Sequence, residues 1–185
     1  MSMGFLLRRR FRAISRHAGR LGLVHFQFPP WLVRNAEGLA HVAHCVERMA
    51  GHTLSVEFRH KSWFDDAQRD ATLAFERDLG VVHTVVDEPQ GFSNSVPAIW
   101  EVTHPRYALL RLHGRNAATW NVKGASAASD RFNYDYADDE LAGLQGGLLA
   151  ILYLHQSVDL RSVGHRTSDR QFAVDQIDQD LLYRS

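Results

Sequence analysis

The chain has 185 residues, 45% hydrophobic and 23% charged, with 21 basic and 21 acidic side chains; this excludes a disordered, collagen-like or coiled-coil protein and leaves room for a core that needs no staples. No run approaches the roughly 18 apolar residues of a membrane span, and zero net charge argues against a general nucleic-acid binder. The lone Cys45 excludes an internal disulfide and a cysteine-based metal site, and it points to a cytoplasmic protein.

Arg8, Arg9, Arg10, Arg12, Arg16 and Arg20 precede any acidic residue, so residues 1–20 read as a basic N-terminal helix or leader. A twin-arginine export signal would need an apolar run and a small-residue cleavage site next. The run that follows contains His25 and Gln27 and ends in Pro29 and Pro30, which argues against export. Residues 21–28, 54–59, 81–87 and 107–114 have strand character. Between the first two, Leu39, Val42, Val46 and Met49 recur at helical spacing over residues 33–49. A second helix is predicted over residues 65–79, with Asp65 as its N-cap and Gly80 as its stop. Strands alternating with helices signal right-handed crossovers and a parallel sheet. Pro89, Gly91, Pro97 and Pro105 make residues 88–105 mostly loop, and a second loop spans residues 115–135. Asp138, Asp139 and Glu140 suit a helix N-terminus, and that helix should run to about residue 149. Residues 151–154 read as a further short strand, and residues 162–180 as irregular.

Residues two apart on a strand share a face. His25 and Gln27 share one, Ser55, Glu57 and Arg59 another, His83 and Asp87 a third, and Arg111, His113 and Arg115 a fourth. A parallel sheet is normally covered on both faces, so polar side chains near the strand ends imply a crevice or barrel mouth. The plainer reading is a half-exposed sheet with a solvated face. Glu57 and Arg59 also read as a structural ion pair, His83 as a satisfied interior histidine, and Trp63, Trp100 and Trp120 as packing residues. The densest cluster is Arg111-Leu-His113-Gly-Arg115, whose two guanidiniums and imidazole suit a carboxylate or phosphate. Gly114 would allow a close backbone approach.

Five stretches in order resemble the YecE-like family, or domain of unknown function 72: Phe26-Gln-Phe-Pro-Pro30, Val56-Glu-Phe-Arg-His-Lys-Ser-Trp-Phe64, Val86-Asp-Glu-Pro89, Arg111-Leu-His-Gly-Arg115, and Arg131-Phe-Asn-Tyr-Asp-Tyr136 with Glu140-Leu141. The resemblance covers roughly residues 20–144. It implies an α/β fold, a partial TIM-type (β/α) barrel with parallel strands, but no particular reaction. The family's early strands and its late asparagine-containing strand have no counterpart here, and residues 145–185 do not resemble it. The expectation is therefore a fragment: a barrel piece over residues 21–154 that lacks the first strands, followed by an irregular tail over residues 155–185. Such a piece would expose sheet edges.

If the cleft is catalytic, Glu57 or Asp87 would be the general base and His113 the acid or base. Arg59, Arg111 and Arg115 would clamp an anion. Gln27, Tyr134 and Tyr136 complete the expected binding residues, the two tyrosines covering the cleft. The substrate would be a small anionic or polyhydroxylated molecule. A metal-assisted variant would use Glu57, His83, Asp87 and His113 as ligands. The rival class is a non-enzymatic protein that holds an anion or nucleic-acid phosphates. The sequence names no cofactor and no oligomeric state.

Overall fold

The computed structural model describes residues 22–122, 133–154 and 159–164, with the backbone path alone for residues 152–154 and 159–164. The expected basic leader, and the tail beyond residue 164, lie outside the described residues. Strand β1 (Val24–Gln27) leads into helix α1 (Ala36–Arg48) and strand β2 (Leu54–Glu57). A 3₁₀ turn (Lys61–Trp63), helix α2 (Arg69–Asp78) and strand β3 (Val82–Asp87) follow. A long connection without a helix then reaches β4 (Tyr107–Leu112), α3 (Asp138–Leu154) and β5 (Asp159–Gly164). The five strands lie in the order β1-β2-β3-β4-β5, every neighbouring pair parallel. Parallel strands in chain order, joined by crossovers, are how consecutive strands of a (β/α) barrel are arranged.

Local chemistry explains the helix limits. Asn35 caps α1 by accepting the Gly38 N–H at 2.7 Å. Gly38 is required there because a Cβ would lie 2.1 Å from the Val33 carbonyl oxygen. Helix α2 begins at Arg69, later than expected, because the Asp65 carbonyl accepts the Gln68 and Arg69 N–H groups in a preceding turn. Asp65 is therefore not its N-cap. Gly80 ends this helix at φ +65°, the left-handed conformation that glycine adopts without strain.

The helix-facing side of β1, β2 and β3 packs on α1 and α2 through Phe28, Val42, Val56, Phe58, Trp63 and Leu73. Phe58 and Trp63 stack at 3.8 Å, and the Trp63 indole donates to the Leu32 carbonyl at 2.8 Å. Trp63 is a packing residue, as expected of a tryptophan here. A second group, Val85, Val102, Ala108, Leu110 and Ile151, sits under α3. Helix α3 approaches the connection so closely that a Cβ on Gly147 would lie 2.3 Å from the Trp100 ring.

Two expectations change. Residues 151–154 form the last turn of α3 rather than a strand. Short apolar runs do not distinguish the two, and this helix is apolar around most of its circumference. Residues 159–164, placed in an irregular tail by sequence, pair with β4 along its full length from Tyr107–Asp159 to Leu112–Gly164. Backbone pairing satisfies the edge of β4 whatever the side-chain pattern of its partner.

Candidate functional site

Strand register determines which side chains meet. Gln27 lies beside Glu57, Ser55 beside Val82, and Val86 beside Arg111. His25, Gln27, Ser55, Glu57 and Arg111 therefore share the face turned away from the helices. His83 lies beside Val56, and Asp87 beside Leu112, so these two belong to the opposite, helix-covered face. His83 and Asp87 are thus on the other side from the expected cleft. All six residues of β3 are buried, and alternation does not identify which face of such a strand is which.

Glu57 is fully buried at the centre of one cluster. Its Oε2 receives Arg111 Nη1 at 2.5 Å and His25 Nε2 at 3.3 Å. Its Oε1 receives His113 Nε2 at 3.2 Å and Arg59 Nη1 at 3.5 Å. His25 Nδ1 lies 2.8 Å from Ser55 Oγ. With Nε2 donating to Glu57, Nδ1 accepts the serine hydroxyl, a tautomer assigned from this network. Ser55 is buried and orients the imidazole. Burial alone would raise the Glu57 pKa, but hydrogen bonds from His113 and His25 and the charge of Arg111 hold it well below the usual carboxylate range. Burial lowers the His113 pKa against the pull of Glu57, so its imidazole is neutral at pH 7.

A second cluster is built on Asp87. Arg115 Nη2 meets Asp87 Oδ1 at 2.8 Å, and its Nε lies 3.0 and 3.1 Å from the two carboxylate oxygens. The Tyr136 hydroxyl donates to Asp87 Oδ2 at 2.7 Å and accepts the Gly114 N–H at 3.0 Å. Burial and the bond to Asp87 raise the Tyr136 pKa. Tyr134 donates to Glu140 at 2.7 Å, and Glu140 also takes Arg115 Nη1 at 3.3 Å and the Ala137 N–H at 3.0 Å. Gly114 has φ +79°, and a Cβ there would lie 2.4 Å from the Tyr134 Cβ. This is a clasp fastening the segment before α3 to the ends of β3 and β4.

The expected site is therefore divided. Glu57, Arg59, Arg111 and His113 converge, joined by His25, with exposed Gln27 at the rim. Asp87, Arg115, Tyr134 and Tyr136 hold one another. His83 packs in the core: Nε2 faces the Ile99 carbonyl at 3.2 Å, and Nδ1 faces buried Glu76 at 3.0 Å. The quartet Glu57, His83, Asp87 and His113 does not assemble as metal ligands, because His83 and Asp87 face away from the other two. Both carboxylates are already engaged, Glu57 by Arg111, His25, His113 and Arg59, and Asp87 by Arg115 and Tyr136.

Two residues absent from the sequence reading of the site belong to it. Glu88 continues the face of Val82, Thr84 and Val86, and its Oε2 lies 3.6 Å from Arg59 Nε. Burial raises its pKa to about 7 despite Arg59. Trp120 lies fully buried under the Arg59 guanidinium, 5.2 Å from it, with the His113 ring edge-on. The signal for Glu88 was its even spacing from Val82; for Trp120 there was none. A cavity of about 450 Å³ lined by Asp87, Glu88, Gln90 and Arg115, among others, opens beside the Asp87 cluster.

The family described as "Protein of unknown function DUF72" matches residues 5–179, beyond both ends of the 20–144 stretch that carried the resemblance. Residues 145–179 are thus within the family match, contrary to expectation. UPF0759 protein YunF of Bacillus subtilis is 36% identical over 127 residues, covering 68% of this chain and 45% of that protein. The crystal structure of a DUF72 family protein from Enterococcus faecalis superposes with a TM-score of 0.73 at 27% identity, covering 81% of this chain and 55% of that one. One from Thermotoga maritima gives 0.68 at 26% identity, covering 86% and 56%. The chain spans about half the length of these relatives. With a match over most of its residues, and structural neighbours carrying the same family name, the chain belongs to the DUF72 family.

Proposed function

We propose that the C-terminal ends of β1, β2 and β4 form part of a site, completed within a TIM-type barrel, that takes a small anionic or polyhydroxylated molecule. One observation carries this reading. Arg111 donates through Nη1 to Glu57, and its Nε and Nη2 have no hydrogen-bond partner among the described residues. A guanidinium held at one corner by a buried carboxylate presents its remaining edge in a fixed direction, the preorganisation that bidentate oxyanion recognition uses. His25 on β1 lies 3.3 Å from the held corner, and exposed Gln27 shares its face of the sheet. In an enzyme, neutral His113 is the acid–base group and Glu57 the fixed charge that orients it.

The other reading, a non-enzymatic anion-binding protein, is favoured by the saturation of Glu57 and Asp87, which leaves neither as a base. Both readings place the protein in the cytoplasm, on the strength of its single cysteine. They share a test in titration calorimetry with inorganic sulfate. Binding at millimolar strength or tighter is expected, and Arg111→Lys should weaken it roughly tenfold, because an ammonium does not reproduce the planar fork. Equal binding by wild type and Arg111→Lys removes the site.

A further inference from the structure

Arg59 lies between two buried glutamates that are solvated very differently. Glu57 receives four side-chain donors, two on each oxygen. Glu88 receives one backbone N–H, from Val96 at 2.8 Å, on Oε1. Its Oε2 has no hydrogen-bond partner among the described residues; the nearest cation, Arg59 Nε at 3.6 Å, is too far for a hydrogen bond and is itself unpartnered there. A buried carboxylate without donors is costly as an anion and cheap as an acid. Of the two glutamates, Glu88 is the one built to carry a proton.

We propose that the proton on Glu88 sets the charge of the Arg59–Glu57–Arg111 cluster, and that losing it weakens anion binding at Arg111. This rests on the anion-site reading above. The charged groups facing Glu88 are Arg59 from the segment after β2, Glu57 on β2, and Asp87 beside it on β3. Asp87 is neutralised by Arg115, and His113 on the β4 side is neutral. With Glu88 protonated, two arginines face one carboxylate and the cluster is positive. With Glu88 ionised, two face two and the cluster is neutral. Glu88 titrates at about 7, so this change falls within the physiological range. Glu88 is a positioning residue, acting through Arg59 and Glu57 rather than by touching the anion.

The test uses the full chain and sulfate, which stays doubly charged from pH 5.5 to 8.5. In wild type, affinity should fall on the order of tenfold between pH 6 and pH 8. Glu88→Gln keeps the shape and neutrality of the acid form and should bind at the tight, low-pH level throughout. Histidine titration is common to both proteins and cancels in the comparison. Carbon-13 NMR of the glutamate carboxyls provides a second reading: one resonance titrating near pH 7 in wild type and missing from Glu88→Gln. Parallel pH profiles with intact sulfate binding overturn the role of Glu88 alone, as does the absence of any near-neutral glutamate titration. Failure of wild type to bind sulfate at any pH overturns the anion site and this coupling with it.

Discussion

Glu57 does at the level of one residue what no pair of neighbours could do. It pairs with Arg59 and Arg111 at once, inside the protein, while aligning two imidazoles. Removing one partner from such a buried set leaves charge without compensation, at about 3–5 kcal/mol. Glu57→Gln should therefore lower the melting temperature by roughly 6–20 °C for a domain of this size, read by calorimetry. The pH dependence has a definite sign. The Glu57 pKa in the folded protein lies below its value in the unfolded chain, so its stabilisation is complete above about pH 5 and is lost as the pH falls further. Wild type should thus melt earlier in acid, with a slope that Glu57→Gln lacks; equal slopes would remove Glu57 from the acid response. That Glu57 and Arg59 share one face, and Arg111 and His113 another, was legible in the sequence, because each pair sits two apart near a strand end. Their partnership was not. It depends on register, which sets one strand's parity against the next and is written in no single strand.

Elements show the same division between local and tertiary information. The ranges of β1, β2, β3 and β4 followed from β-branched and aromatic runs, and α1 from its periodicity, because those signals are local. Strand β5 was not foreseen, since its pairing reflects the open edge of β4 more than its own residues. Helix α3 offers a sharp test of packing against propensity. Gly146 has open space around its missing Cβ, whereas a Cβ on Gly147 would strike the Trp100 ring. Alanine normally stabilises a helix interior by about 0.5–1 kcal/mol over glycine. Gly146→Ala should raise the melting temperature by a few degrees, and Gly147→Ala should lower it. Two shifts of the same sign would mean that α3 does not rest on Trp100.

For the whole molecule, the sheet is the organising object. Strands β1 and β5 are its edges among the described residues, and β5 covers β4 over six residue pairs. Sequence alone placed residues 155–185 in an irregular tail, whereas the pairing of residues 159–164 with β4 makes part of that stretch integral to the sheet. A chain ending at Leu154 should melt several degrees lower than the full chain and associate in light scattering, because β4 would present an unpaired edge. An unchanged melting temperature with no association would show that β5 adds nothing to the sheet.

Trp120 gives the molecule an optical consequence. Its indole is shielded from water, lies beneath one cation and meets an imidazole edge-on, while Trp31 stands 74% exposed on the loop after β1. The two environments emit at different wavelengths, blue for the dry indole and red for the wet one. Trp63, equally buried in the core, also emits in the blue, so the part of that emission lost in Trp120→Phe reports on the electric field around Arg59 and His113, without any added dye. The charge state of the cluster is, in effect, written into the colour of the protein's own fluorescence.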